Sequence, residues 1–371
     1  MAREWARLGA LGFGGPPAHV ALLRELTVER RRWIDAREFE DANAATQLIP
    51  GPASTQLAIY CAQRVAGTTG AIVGGLAFIL PGLLLIIAIA AIALSDSPPE
   101  WVEGVGAGAA AAVVAVVVRV GFDFARASLA DRTGDARART VAYLAIGAAA
   151  AVFAGAALVL VLLACGLAEL VWRRRSRAAV HAWPLALVLA ATAAAALPPL
   201  AWTAFKVGAL SYGGGFVIIP LMQADAVDAY GWMTRSEFAD AVAYGQLTPG
   251  PVVQTVAMVG WAAAGLPGAL VASAVAFAPS FLVVALTGER FERLRGSGAA
   301  RAFLDGAGPA AAGAVLGVAI PLFDALEEAW QYAVLGGAAI LVLRLSPIWA
   351  LVSGALAGLV AALAGLPVAT N

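Results

Sequence analysis

The sequence predicts an all-α polytopic membrane protein of two inverted-topology repeats. Each repeat holds broken, re-entrant helices and about four spanning helices, and one extra helix links the two. Three observations carry this. The 371 residues are 61% hydrophobic, with mean hydropathy +0.83, against roughly 45–50% apolar in a soluble domain. Residues 9–56 laid over 208–255 without a gap are about one-third identical. Equivalent loops of the two copies differ in basic charge, as they would if they faced opposite sides of a bilayer.

The elements follow in order. Trp5–Leu23 is apolar but broken at "GFGGPP" (Gly12–Pro17), and Glu38–Val65 is broken at "QLIPGP" (Gln47–Pro52). Both begin and end beside arginine, so they read as re-entrant hairpins; kinked full crossings are the alternative. The runs Gly70–Leu94 and Gly106–Val118 are long enough to enter spans of about 20 residues. Tyr143–Leu170 suits two short helices turning near Gly155. The arginine-rich stretch Arg173–Arg177 precedes Pro184–Trp202, the linking helix that gives the odd number of crossings an inversion needs. The predicted units are therefore residues 3–172, a linker 173–202, and 203–371.

The second copy repeats the breaks. "GALSYGG" (Gly208–Gly214) matches "GALGFGG" (Gly9–Gly15), and "QLTPGP" (Gln246–Pro251) matches the first proline break 199 residues earlier. One residue then drops out, so "AGLPGA" (Ala264–Ala269) matches "AGTTGA" (Ala66–Ala71). Loop charge alternates. Arg24–Glu38 has five arginines and its partner Gln223–Glu237 one; Ser95–Glu100 has none, whereas Thr287–Arg301 has four.

Composition excludes several functions. The net charge is zero and the arginines lie in short loops, so nucleic acid is not an expected partner. Cys61 and Cys165 lie in apolar segments and read as packing residues, with neither a disulfide nor a metal site expected. The glycine-broken N-terminus is a poor signal peptide and is kept in the fold. No G-x-x-x-x-G-K-[ST] or H-E-x-x-H is present, so energy from nucleotide hydrolysis and zinc chemistry are not expected. No cofactor is expected.

Backbone that leaves the helix inside a bilayer is tolerated only where protein buries it or water reaches it. Paired breaks in two halves are the best pointer to a transport site. New helix N-termini after the breaks, the second beginning near Ala53, favour anions. Two cations precede the glycine breaks at aligned positions, Arg7 and Lys206, the only lysine. The expected anion site therefore comprises Arg7, Lys206, Gly14, Gly15, Gly213, Gly214, Gln47, Gly51, Ser54, Thr55, Gln246, Thr248 and Gly250. The bland readings are a membrane-surface anchor for Arg7, snorkelling for Lys206, and inter-helix glue for the glutamines. Asp41 and Asp240 are candidate coupling residues. Glu38 and Glu237 fit helix-start capping boxes with Asp35 and Thr234. His19 could donate to an anion or make a local bond.

At these residues the sequence resembles the chromate ion transporter family in its long two-domain form. The matching stretches are "FGGPPAH" (Phe13–His19), "ERRRWIDAREFEDANAATQLIPGPASTQLAIY" (Glu29–Tyr60), "YGGGFVIIP" (Tyr212–Pro220) and "GWMTRSEFADAVAYGQLTPGPVVQT" (Gly231–Thr255). Gly12 stands where a small hydroxyl residue is expected, which removes a donor. The resemblance implies a secondary carrier of the cytoplasmic membrane that exports chromate, with sulfate as its look-alike. The expected partners are such an oxyanion, the lipid bilayer and a second copy in a homodimer.

Overall fold

The computed structural model describes residues 1–46, 51–130, 132–174, 198–211, 215–287 and 298–368. The described residues are mostly helical, with no strand among them. Gln47, Gly213, Gly214 and most of the linking helix lie outside them.

The first broken segment is α1 (Ala2–Leu11) and α2 (Pro16–Arg24), the latter running into a π-helical turn, Glu25–Arg30. The chain doubles back here. Arg30 and Arg31 bond Glu4 at 3.0 and 2.6 Å, and Trp33 stacks on Trp5 at 6.0 Å. The Arg31 hydrogen bond, aided by Arg30, holds the Glu4 carboxyl below its usual range. The second broken segment is α3 (Ala36–Thr46) and the start of α4 (Ala53–Ala93). It too closes on itself, because Arg64 and Tyr60 both bond Glu38. Both segments are hairpins, with their ends together and their breaks at the tip. The first expected capping box is not formed. Asp35 accepts instead from the Arg37 N–H, and Glu38 is drawn to Arg64.

Helix α4 is two helices. Ala66 and Gly67 are non-helical (φ/ψ −143/27 and 62/−155). A Cβ on Gly70 would lie 2.3 Å from the Ala62 carbonyl oxygen. Eight residues of straight helix span about 12 Å, so the chain must reverse between them. After it come α5 (Glu100–Leu129), α6 (Gly134–Phe153) and α7 (Leu158–Arg174), the last two meeting in a turn at Gly155–Ala157 as expected.

The second half repeats this order. It contains α8 (Pro199–Leu210), α9 (Ile218–Gln223) with a π-helical turn Ala224–Ala229, α10 (Arg235–Leu247), α11 (Thr255–Thr287), α12 (Gly298–Asp324), α13 (Ala329–Leu341) and α14 (Pro347–Leu363). The correspondence reaches single torsions. Ala264 and Gly265 (−156/29 and 59/−151) reproduce the reversal at Ala66–Gly67. The Trp33 and Ile34 N–H groups both donate to the Thr27 carbonyl, and the Trp232 and Met233 N–H groups to the Ala226 carbonyl, 199 residues on. Here the capping box forms, between Thr234 and Glu237.

Among the described residues four helices in each half follow the broken segments. Five of the described helices are long and apolar enough to cross a membrane, while α13 and α14 are shorter. The molecule is a multi-pass membrane protein. Its halves are interleaved: α12 packs on α6 and α7, and α14 on α5. Small residues allow this. A Cβ on Gly108 would sit 2.2 Å from the Gly354 oxygen, and one on Gly358 1.8 Å from the Gly104 oxygen, so the two backbones touch.

Helix α5 serves as a ruler, its 30 residues spanning about 45 Å. Near its N-terminal end lie second-half residues: Tyr244 Oη donates to the Val102 carbonyl and Gln331 Nε2 to that of Ala107. Near its C-terminal end lie Arg24 and Glu40, together with Arg132 and Arg173, both 2.7 Å from Asp305.

Candidate functional site where four helix breaks meet

The four breaks come together. The Gly250 N–H donates to the Gly12 carbonyl at 3.2 Å, joining the tips of opposite halves. A Cβ on Gly51 would be 3.6 Å from the Gly208 oxygen, and one on Gly215 3.1 Å from Val252. Gly14, Gly15, Gly51, Gly215 and Gly250 all have positive φ (96°, 74°, 124°, 88° and 99°), a conformation that only glycine adopts without strain. Between the tips is a pocket of about 10 Å³, lined by Pro16, Pro52, Ala53, Ser54, Ser211, Gly215 and Pro251–Val253. A single water needs about that much. Helices α2 and α4 begin at this pocket, at Pro16 and Ala53. Only α4 brings free N–H groups there, because α2 starts with two prolines, which have no N–H, and its Ala18 and His19 N–H groups donate to the Gly15 carbonyl.

A cavity of about 790 Å³ reaches the same point and shares Pro16 and Val252 with the pocket. It is lined by Gly14, Gly15, Gly250, Gln246 and Thr248 from the expected site, and by Arg24, Glu40, Asn43 and Ser346. Val116, Val120, Phe124 and Leu351 form an apolar wall. Asn43 Oδ1 and Gln246 Nε2 are buried there without a hydrogen-bond partner. Thr248 donates to the Gly245 carbonyl in the last turn of α10.

The expected pair of cations does not converge. Arg7 is exposed on α1 and does not line the cavity. Lys206 is buried at 3% exposure, and its Nζ lies 2.5 Å from Asp225 Oδ2. Alignment placed the two at equivalent chain positions, but α1 and α8 do not bury the same face. Among the described residues the cation lining the cavity is Arg24, paired with Glu40 at 3.0 Å and with Glu29. Sequence reasoning counted it as loop charge, and no spacing marked it as inward-facing.

His19 is engaged by protein. Its Nε2 lies 2.9 Å from the Gly12 carbonyl and its Nδ1 3.2 Å from Ser54 Oγ, with its edge on Phe78. In the neutral ring Nε2–H donates to the carbonyl, so Nδ1 accepts from the Ser54 hydroxyl. Both residues are then positioned by each other. Ser211 Oγ and Thr55 Oγ1 are fully buried without a partner. Gln254 was missed: it donates to the Ile79 carbonyl at 2.6 Å and leaves its Oε1 beside Gly250. Its alignment with Thr55 was the available signal. Neither Asp41 nor Asp240 lines the cavity; Asp240 lies against Gly106 of α5. Among the described residues no group of three side chains could hold a metal.

Broken helices from two interleaved halves, meeting at the floor of a cavity inside a multi-pass bundle, are the arrangement of a membrane transporter. The chain belongs to the chromate transporter family, whose sequence model matches residues 1–170 and 198–359. It is 32% identical to the chromate transport protein of Cupriavidus metallidurans, over 85% of this chain and 80% of that protein. It is 30% identical to a probable chromate transport protein of Synechococcus elongatus, over 87% and 84%. It is 29% identical to a chromate transport protein of Pseudomonas aeruginosa, over 88% and 81%. No solved structure matches the chain.

Proposed function

We propose that this protein is a secondary carrier of the cytoplasmic membrane that exports chromate by alternating access of two inverted halves. The observation that carries the reading is the meeting of all four breaks at one small pocket below one large cavity. Inversion is supported by the ruler of α5. First-half residues Arg24 and Glu40 lie at its C-terminal end, while second-half α10 packs at its N-terminal end. The cavity opens at the arginine-bearing end, the cytoplasmic one by loop charge. Chromate would enter there, drawn by Arg24 and met by the Gln246 amide. The pocket beyond holds about one water, less than four oxygens need, so the tips must part for passage. The first N–H groups of α4 and the Ser211 hydroxyl would then receive the anion. Expected contributors outside the described residues are Gln47, Gly213 and Gly214.

An inside-negative potential favours outward movement of a dianion by about 4.6 kcal/mol per 100 mV, twice the single-charge value. The test is chromate flux in proteoliposomes under imposed voltage and pH gradients. Flux driven by either gradient, saturating and showing counterflow, is expected. Flux indifferent to both removes the carrier reading, and absence of counterflow points to a channel. Sulfate moving in preference to chromate reassigns the substrate but not the site.

A further inference from the structure

We propose that the Lys206–Asp225 pair is a proton-exchange site. The transported anion takes the place of Asp225 on the Lys206 ammonium, and the freed carboxylate binds one proton. This rests on the anion-transport reading above.

The pair lies in the interior, 3% and 1% exposed. Asp225 Oδ2 accepts from Lys206 Nζ at 2.5 Å and from Thr203 Oγ1 at 2.6 Å, and the ammonium lies 5.4 Å from the Trp202 ring. Burying two charges is costly, and apolar replacements are often as stable. Ionisable residues retained inside membrane proteins usually mark ion pathways. The repeat supplies a control. The residues equivalent to Lys206 and Asp225 are Arg7, which is exposed, and Leu26, which is 4% exposed. The π-helical turn forms equally well with Leu26 there. The fold of this unit therefore does not need the pair.

Position makes the exchange feasible. Lys206 precedes Ser211 by five residues, about 7.5 Å along a helix, and Ser211 lines the pocket between the tips. The elements packed closely on α8 are α9 and α11, and neither carries a titratable residue. The turn bearing Asp225 packs on α9, on residues 155–157 and on α10. Of these only α10 brings titratable groups, namely Arg235, Glu237, Asp240 and Tyr244; Asp228 and Tyr230 lie on or beside the turn itself. No ion pair joins any of them to Lys206 or Asp225 among the described residues. Among the described residues a displaced Asp225 would thus have no second cation paired with it, and a buried lone carboxylate binds a proton.

The step balances. An ammonium–carboxylate pair, a dianion and a proton become an ammonium–dianion pair and a carboxylic acid, with net charge −1 on both sides. Only an O–H bond forms, and release of the anion reverses it. Linkage then makes proton and anion binding mutually favourable.

The test uses the purified full chain in weakly buffered, mildly alkaline solution, where chromate is the fully deprotonated dianion. Chromate binding and proton uptake, read by an indicator dye, are measured together. Wild type is expected to take up about one proton per anion. D225N should bind at least as tightly as wild type without proton uptake, since its Lys206 is already free. K206Q should bind about tenfold or more weakly, a charged hydrogen bond being lost. A structural role predicts instead that D225N loses binding as K206Q does. If D225N does not fold, the charge-free K206Q/D225N keeps the test, and uptake per bound anion at the wild-type level in it overturns the proposal. So does wild-type binding without uptake, or uptake that survives in D225N. A wild-type chain that binds neither chromate nor sulfate overturns the transport reading as well.

Discussion

Gly108→Ala tests whether α5 and α14 touch backbone to backbone. The added Cβ would lie 2.2 Å from the Gly354 oxygen and 2.7 Å from the Gly358 N and Cα. Ordinary contact begins at 3.4 Å, so the helices must separate by 1.2 Å (3.4 − 2.2). The obstruction is backbone and cannot rotate away. A radial gap of about 0.5–1 Å already forfeits a quarter to a half of each dispersion contact it opens. Overpacking of this kind costs about 1–3 kcal/mol, offset by about 0.5–1 kcal/mol from replacing a helical glycine. The net expectation is a loss within about 0–2.5 kcal/mol, centred a little above 1. Gly336→Ala in α13 is the control. A Cβ there meets nothing within 4 Å, so only the helix gain of about 0.5–1 kcal/mol remains. Thermal unfolding in detergent, followed by tryptophan fluorescence, should move the two midpoints in opposite directions by a few degrees. A Gly108→Ala protein as stable as wild type would refute the packing.

Three further outcomes are expected. Arg24→Gln should weaken chromate uptake into the cavity and reduce its salt dependence, raising the apparent KM; Glu40→Gln should lower it, because a competing carboxylate is removed. Steady-state flux measures both, and equal effects in both variants would dismiss Arg24 as the entry cation. Cysteines at Ala36 and Arg235, the exposed first residues of α3 and α10, should react with an impermeant thiol reagent from opposite sides of the membrane. The native Cys61 and Cys165 are buried and give little background; labelling from the same side would end the inverted arrangement. Arg32→Gly should stabilise by about 1 kcal/mol, read as a raised midpoint. Arg32 has φ 52°, and its repeat equivalent is already Gly231 at 60°.

The site was partly legible. The breaks at Gly14–Gly15, Gly51, Gly215 and Gly250 could be found because glycine and proline at matched intervals have few other uses inside apolar segments. Their hairpin form followed from arginines at both ends, now seen bonded to Glu4 and Glu38. The cations could not be read. Arg7 and Lys206 occupy one alignment column, but their surroundings differ: Asp225 draws Lys206 inward, whereas the first half has Leu26 there. Arg24 looked like loop charge because the cavity beside it is walled by α5 and α14, more than 90 residues away in sequence.

What the sequence determined by itself is local and periodic. Apolar runs, glycine and proline breaks, the 199-residue repeat and the alternating arginines dictate spans, hairpins and an order of elements, because each acts through its own backbone or the nearby bilayer. What only the tertiary structure decided is which side chains share a space. The interleaving of the halves, the small pocket between four tips, the Arg24 cavity and the Lys206–Asp225 pair all depend on contacts between distant segments. Their geometry is set by which helix faces touch, and no single stretch of sequence carries that information.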